Sequence, residues 1–317
     1  ILENEGGIDE EIRFKDVTAT VAPSLQEAGL VTSAIWNDYD GDNLTDLIIT
    51  GEWMPIRFFK NTGEILQEVT ADIPGLRDME GWWYHLTASD LDQDGDLDYV
   101  CGNLGLNYKY RASAEEPFEV YANDFDENNS LDIVLSYHKK GVQLPVRGRE
   151  CSAQQVPAIA ARFTTFDAFA EADLSDLYGE QMLTNSLHLQ AKTFESCWLE
   201  NLGPAGFKRH PLPAQAQISS INAIQVIDYN GDALQDLLLF GNLYGAEVET
   251  PRNDAGVGLV LVGSPDGQFT PIAAKDSGVL LPGDAKAIAA IRLGQDQKTA
   301  FLIGLNNDAL QLLLLDQ

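Results

Sequence analysis

The chain has 317 residues, 44% of them hydrophobic, with 49 Asp and Glu against 20 Lys and Arg and a net charge of −29. Such a chain can bury a large core, as one big domain or two ordinary ones. No apolar run reaches the roughly 18 residues of a membrane span, and so acidic a surface repels nucleic acid and anionic membranes alike.

Residue 1 is Ile, and the opening "ILENEGGIDEEIRFKDVTA" reads as the end of a preceding unit, so a mature or excised piece of a longer protein is expected. The first complete unit shows four short runs of strand character, "VTSAIWND", "DLIITGEW", "PIRFFKN" and "ILQEVTA". Between the first two lies the acidic loop "DYDGDNLTD". The second unit has "WYHLTAS", the loop "DLDQDGDLD" and "YVC"; the third has "FEVYAN", "DFDENNSLD" and "IVLS". From 139 to 195 the period changes. Val156, Ile159, Ala160 and Phe163 recur at helical spacing, Phe166, Phe169 and Ala170 continue it, and Leu174, Leu177 and Tyr178 add a turn. This predicts a helical insertion over 139–195, which either covers an exposed edge or carries recognition. Strands resume with "SCWLENLG" and "FKRHPLP", and a fourth unit follows as "INAIQVI", "DYNGDALQD" and "LLLF". A fifth, "IRLGQDQKTAFLIG", places Arg292, Gly294, Asp296 and Ala300 where the acids belong. No metal is expected there, and the cation of Arg292 or Lys298 partly replaces it. Gly51, Gly102, Gly241 and Gly304 close the second strand of four units. The three cysteines are too few and too widely spaced for a disulfide framework. Cys101, within a strand, reads as a small core residue, and Cys151 with Cys197 is the candidate bridge across the insertion.

The four loops share one register, and a repeat outranks any local reading. Each has Asp at positions one and nine and Asp or Asn at three and five. The sets are Asp38, Asp40, Asp42 and Asp46; Asp90, Asp92, Asp94 and Asp98; Asp124, Asp126, Asn128 and Asp132; and Asp228, Asn230, Asp232 and Asp236. Position seven can add a backbone carbonyl from Leu44, Asp96, Ser130 or Leu234. Five or more oxygens with no nitrogen or sulfur select a hard cation, so up to four Ca²⁺ ions are expected, with Mg²⁺ the second choice. Zinc lacks its ligands, because no Cys or His falls within the loops. An EF-hand needs Glu at position twelve between two helices; here that position is Ile49, Cys101, Leu135 or Leu239, each in a strand-like run. One such loop could be an ordinary acidic turn, but four in one register argue for a bound ion. The last two loops carry three ligand carboxylates rather than four and should bind more weakly.

Four-stranded units repeated around an axis make a β-propeller of roughly four to eight blades. The expected fold is all-β: a propeller of four-stranded blades with five units visible, spanning 1–317 as one domain or as a fragment of one. The loops follow the plan D-x-[DN]-x-[DN]-x-x-x-D, and in them the chain resembles the FG-GAP/VCBS-repeat propellers, as in integrin alpha subunits. The stretches "GEWMPI", "GWWYHL", "GNLGLN" and "LENLG…F…LP" resemble bacterial secreted VCBS-repeat proteins related to cartilage acidic protein, which often carry an ASPIC/UnbV segment. No such segment is evident in the chain. The resemblance implies an extracellular, cell-surface or periplasmic propeller with calcium as a structural ligand, and no established reaction. A closed propeller of about seven blades would draw further blades from outside this chain.

Beyond calcium the signals are sparse. His85, His138, His188 and His210 are scattered, and there is no Gly-x-Ser-x-Gly elbow, His-Glu-x-x-His or phosphate-cradling glycine loop. Trp53, Trp82, Trp83 and Tyr84, with Tyr108 and Tyr110, are candidates to stack on sugars or to anchor a protein partner. Trp82 and Trp83 are adjacent, so in a strand they face opposite sides. The expected function is a non-catalytic, calcium-stabilised propeller binding a protein or glycan. The alternative is a polysaccharide lyase or glycoside hydrolase on the same scaffold, with a histidine or a spare acid as base.

Overall fold

A computed structural model describes residues 1–6, 12–246 and 250–315. The chain divides into two compact units: Ile1–Arg77, Trp82–Tyr108 and Glu195–Gln317 form one, Asp78–Gly81 and Lys109–Phe194 the other.

The first unit is a stack of antiparallel sheets. In the first sheet Leu30–Asn37, Asp46–Met54, Arg57–Asn61 and Leu66–Glu68 are successive neighbours. The third sheet repeats the plan with Ile221–Ile227, Asp236–Gly241, Leu259–Gly263 and Phe269–Ile272. The fourth has three strands, Ala285–Leu293, Lys298–Leu305 and Gln311–Leu314. The second sheet departs from a serial order. His85–Ser89 and Asp98–Gly102 are joined by Cys197–Asn201 and Phe207–Pro211, strands that arrive only after the whole second unit has been traversed. Cys197 stands opposite Cys101, Trp198 opposite Val100 and Leu199 opposite Tyr99. This places Cys197 away from its expected pairing with Cys151: its cross-strand neighbour is Cys101, and both are buried.

In the first three sheets the second strand is buried along most or all of its length. In Asp236–Gly241 every residue is buried. Successive side chains alternate sides. Leu237 and Leu239 join Val100, Trp198 and Leu261 in the core shared with the second sheet, while Leu238 and Phe240 join Val260, Phe301 and Ile303 in the core shared with the fourth. Between the first and second sheets the rings of Phe58, Tyr99 and Phe207 meet at centroid distances of 5.0 to 5.8 Å. Each such side chain contributes about 1.5–3 kcal/mol by leaving water. Close backbone approach explains three of the recurrent glycines, from the bulged neighbouring strand of the same sheet at Gly51 and Gly241 and from the third sheet at Gly102. A Cβ on Gly241 would lie 1.6 Å from the Ser220 carbonyl oxygen, on Gly51 2.0 Å from that of Leu30, and on Gly102 2.3 Å from that of Ile221. At Gly304 the nearest atom is 3.7 Å away.

The second unit holds the third acidic loop. Its sheet runs Val142–Pro145, Asp132–Lys139, Phe118–Asn123, Leu187–Ala191 in spatial order. Five short helices lie between Arg149 and Thr184. The residues read at helical spacing do pack together: Val156, Ile159, Leu174, Leu177 and Tyr178 form a core with Tyr121 and Val134 of the sheet. The helix Leu174–Tyr178 starts in a capping box between Asp173 and Asp176. Helices therefore occupy the middle of the 139–195 segment, and its two ends are strands. Those strands were hidden in the sequence because each is short and pairs only with a strand of this sheet.

Candidate metal centres

All four loops connect the first and second strands of a sheet, and they are built alike. Positions four and six take a left-handed backbone in every one: Gly41 and Asn43, Gln93 and Gly95, Glu127 and Asn129, Gly231 and Ala233, with φ between 59° and 103°. These two reversals turn the odd-numbered side chains inward. The position-one carboxylate caps the turn by accepting backbone N–H groups, from Gly41, Asp42 and Asn43 at Asp38, and from Asn128 and Asn129 at Asp124. Asp90 accepts from Gly95, and Asp228 from Gly231 and Ala233. Position five accepts from the N–H of position seven throughout: Leu44 to Asp42, Asp96 to Asp94, Ser130 to Asn128 and Leu234 to Asp232, at 2.7 to 3.1 Å.

The expected ligand sets assemble in part. Ligand oxygens of Asp38, Asp40 and Asp42 lie within 4.8 Å of one another, as do those of Asp90, Asp92 and Asp94. In the third loop the group is Asp124, Asp126 and Asp132. In the fourth, Asn230 Nδ2 donates to Asp232 Oδ2 at 2.8 Å. Asp46, Asp98 and Asp236, at position nine, are fully buried and staple each loop to its sheet. One oxygen accepts the position-two N–H, from Tyr39, Leu91 or Tyr229. The other accepts from the third strand, from Asn61, Asn201 or Gly263. Sequence reading missed Asn61 and Asn201, although "KN" and "EN" end both strands. Asn201 also donates to the carbonyls of Tyr39 and Leu97, tying the first two loops together. Gln93 donates to the Ala233 carbonyl at 2.8 Å, joining the second loop to the fourth.

The charges are poised for a cation. Oδ1 atoms of Asp90, Asp96 and Asp126 are buried and accept no hydrogen bond. A buried carboxylate oxygen without a donor is costly, and a hard cation satisfies it. Burial raises Asp98 to about 7 despite the N–H groups of Asn201 and Leu91. Burial, then the neighbouring charge of Asp94, raises Asp96 to about 6. Asp96 thus brings a fifth carboxylate to the second loop, where only its backbone carbonyl was expected to serve. Burial also raises Asp46, Asp92 and Asp236. The residues of the second and third loops fit Ca²⁺: Asp90, Asp92, Asp94 and Asp96 would hold one ion, and Asp124, Asp126 and Asp132 another, each supplying a structural cross-link. The first loop differs, because the Lys60 ammonium contacts Asp40 and lies 2.9 Å from Asp42, whose carboxyl it holds low. In the fifth unit Arg292 donates to the Gln297 carbonyl and the Thr299 hydroxyl.

The aromatic candidates separate. Trp83 is fully buried, so it is a core residue and offers nothing to a ligand. Trp53 and Trp82 are half-buried and meet edge-to-face at 5.0 Å, with Trp53 held at φ 61°. The Tyr84 hydroxyl is buried, and burial followed by the Glu52 charge pushes its pKa well up.

Residues 38–101, from the first loop through the second, match the FG-GAP-like repeat family. None of the curated proteins matches the chain. Among solved structures, the V. cholerae biofilm matrix protein Bap1 aligns with 96% of this chain and 65% of its own, at 8% identity and a TM-score of 0.28. The chain thus spans just under two thirds of that protein's length.

Proposed function

We infer that the chain is a non-catalytic, calcium-stabilised scaffold of propeller type, secreted or displayed at a cell surface, that binds a protein or glycan partner. The observation that carries the calcium reading is the set of unpartnered carboxylate oxygens inside loops built to one plan. The FG-GAP-like repeat over 38–101 supports blade-like sheets, and we extend that to a closed ring. The Trp53–Trp82 pair is the surface we assign to the partner, because a partly exposed aromatic pair gives contact area at low entropic cost. The test is thermal unfolding in excess EDTA, followed by titration with Ca²⁺ or Mg²⁺. A rise of roughly 10 °C or more with Ca²⁺ and little with Mg²⁺ is expected. An equal, metal-independent melt from a protein that elemental analysis finds empty would overturn the reading.

A second reading, a carbohydrate-active enzyme, is favoured by one cluster. Glu119 is buried, with His138 Nε2 and His188 Nε2 each 2.9 Å from its carboxylate. Beside it lies a cavity of about 400 Å³ lined by Tyr121, Gln143, Glu180 and His188. A histidine oriented by a carboxylate is a competent general base. Turnover of a neutral or polyanionic glycan, lost in His188→Ala with the melting temperature unchanged, would favour this reading over simple binding.

A further inference from the structure

The second sheet is assembled from two distant pieces of chain, and the seam between them is marked by two cysteines. Asp98–Gly102 and Cys197–Asn201 pair antiparallel as its two middle strands. Their register begins with Cys101 opposite Cys197 and proceeds to Val100 opposite Trp198 and Tyr99 opposite Leu199. The cysteine pair is thus the rung at which the ladder opens and the chain departs toward residues 109–194. Both side chains are fully buried. Directly opposed residues share a face of the sheet, and their Cα atoms stand about 4.5 or 5.5 Å apart according to hydrogen-bonding position. Both separations fall within the range of roughly 4.4–6.8 Å that a disulfide spans. The neighbourhood of the Cys101 thiol agrees: burial first, then the adjoining Cys197 thiol, raise its pKa. Burial lowers the thiolate population, so the thiols of the folded protein react slowly. The bond would therefore form as the two strands first meet.

We propose that Cys101 and Cys197 form a disulfide that clasps the second sheet across the insertion, leaving Cys151 as the single thiol. The two thiols lose two protons and two electrons. The electrons pass to an oxidised dithiol, a low-molecular-weight or protein disulfide, which leaves as two thiols. The clasp matters because the loop it closes is long. An unlinked chain must bring residues 101 and 197 together against the closure entropy of everything between them. The proposal extends the secreted reading above, since such a bond persists only in an oxidising compartment.

The experiment uses the whole chain, produced in an oxidising bacterial periplasm. The protein is unfolded in denaturant with an alkylating agent, then digested with trypsin without reduction. One alkylated cysteine, in peptide 150–162, is expected, together with peptides 78–109 and 193–208 joined and lighter by two hydrogens. Reduction before the melt should lower the midpoint by roughly 5–10 °C. Three alkylated cysteines, or a link involving Cys151, would overturn the proposal. Chain made in a reducing cytoplasm and refolded in a glutathione redox buffer separates the two readings. A Cys101–Cys197 link formed there stands even if the protein proves to be intracellular.

Discussion

Asp98 has no contact with solvent, and both of its oxygens are engaged, one by the Leu91 N–H and the other by the Asn201 N–H. It therefore has two tasks, closing the second loop and fastening that loop to the third strand of its sheet. The sequence marks Asp98 as a ligand, because ligand chemistry fixes its spacing from Asp90. It does not mark the fastening, because Asn201 lies on a strand that joins the sheet only after the insertion. The same limit hides Lys60 as a partner of Asp40 and Asp42. The raised carboxyls predict a pH dependence. Asp96 at about 6 and Asp98 at about 7 hold their protons more tightly in the metal-free fold than in the unfolded chain, where the ordinary value is 3.8. Their stabilising contribution is full below that ordinary value and is lost as pH rises through 6 and 7. A bound cation reverses the preference by favouring the ionised forms. Calcium affinity should therefore rise between pH 5 and pH 8, with protons released on binding near pH 6. Titration calorimetry in buffers of different ionisation enthalpy reads that release directly. Affinity that is flat across this range would contradict the assignment. Asp96→Asn keeps a side-chain acceptor but removes the charge of a carboxylate whose buried oxygen has no donor, so it should shrink the calcium-induced rise in melting temperature more than it lowers the metal-free value.

At the scale of the element, each strand–loop–strand hairpin was legible and its neighbours were not. Two left-handed positions per loop, filled by Gly or Asn in five of eight cases, agree with the aspartate spacing. Local chemistry suffices to specify such a turn. Strand partners are another matter. Reading the units in series assigns the third loop to the next blade, whereas it heads the sheet of the second unit and the second sheet completes itself from 197–211. Short, buried strands carry no label for the neighbour they will find. The glycines at strand ends give a sharper test of packing than the strands do. All four look equivalent in sequence. In the fold, Gly241 has the Ser220 carbonyl where its Cβ would be, whereas a Cβ on Gly304 would meet only ordinary contacts, the nearest at 3.7 Å. Gly241→Ala should cost roughly 1–3 kcal/mol through forced displacement of backbone. Gly304→Ala should stay within about 0.5 kcal/mol of the parent. Urea unfolding of both variants at saturating calcium measures the difference. Equal costs would show that the glycines serve the unfolded chain or the strand ends generally, and not the close backbone contact at Gly241.

For the whole molecule, the acid excess and the division into two units lead to one prediction. Each bound ion would reduce the net charge of −29 by two, so calcium would act both as a local cross-link and as relief of general repulsion. The two effects separate because the aspartate groups are divided between the units. Asp38, Asp40 and Asp42, and Asp90, Asp92 and Asp94, belong to the larger one, and Asp124, Asp126 and Asp132 to the smaller. Chains with separate compact units commonly unfold in more than one step. Calorimetry should show two transitions, the smaller one with an enthalpy of about 60 kcal/mol for a unit of its size. EDTA should lower both. Asp124→Asn combined with Asp126→Asn should lower only the smaller transition and abolish its response to calcium, while the larger transition keeps its own. Added NaCl should raise both transitions in EDTA, since screening acts on every exposed charge. It should not restore the calcium increment, because a screened carboxylate still lacks the ligand its buried oxygen requires. A single transition, lowered as a whole by the double variant, would mean that the third loop stabilises the entire chain rather than its own unit.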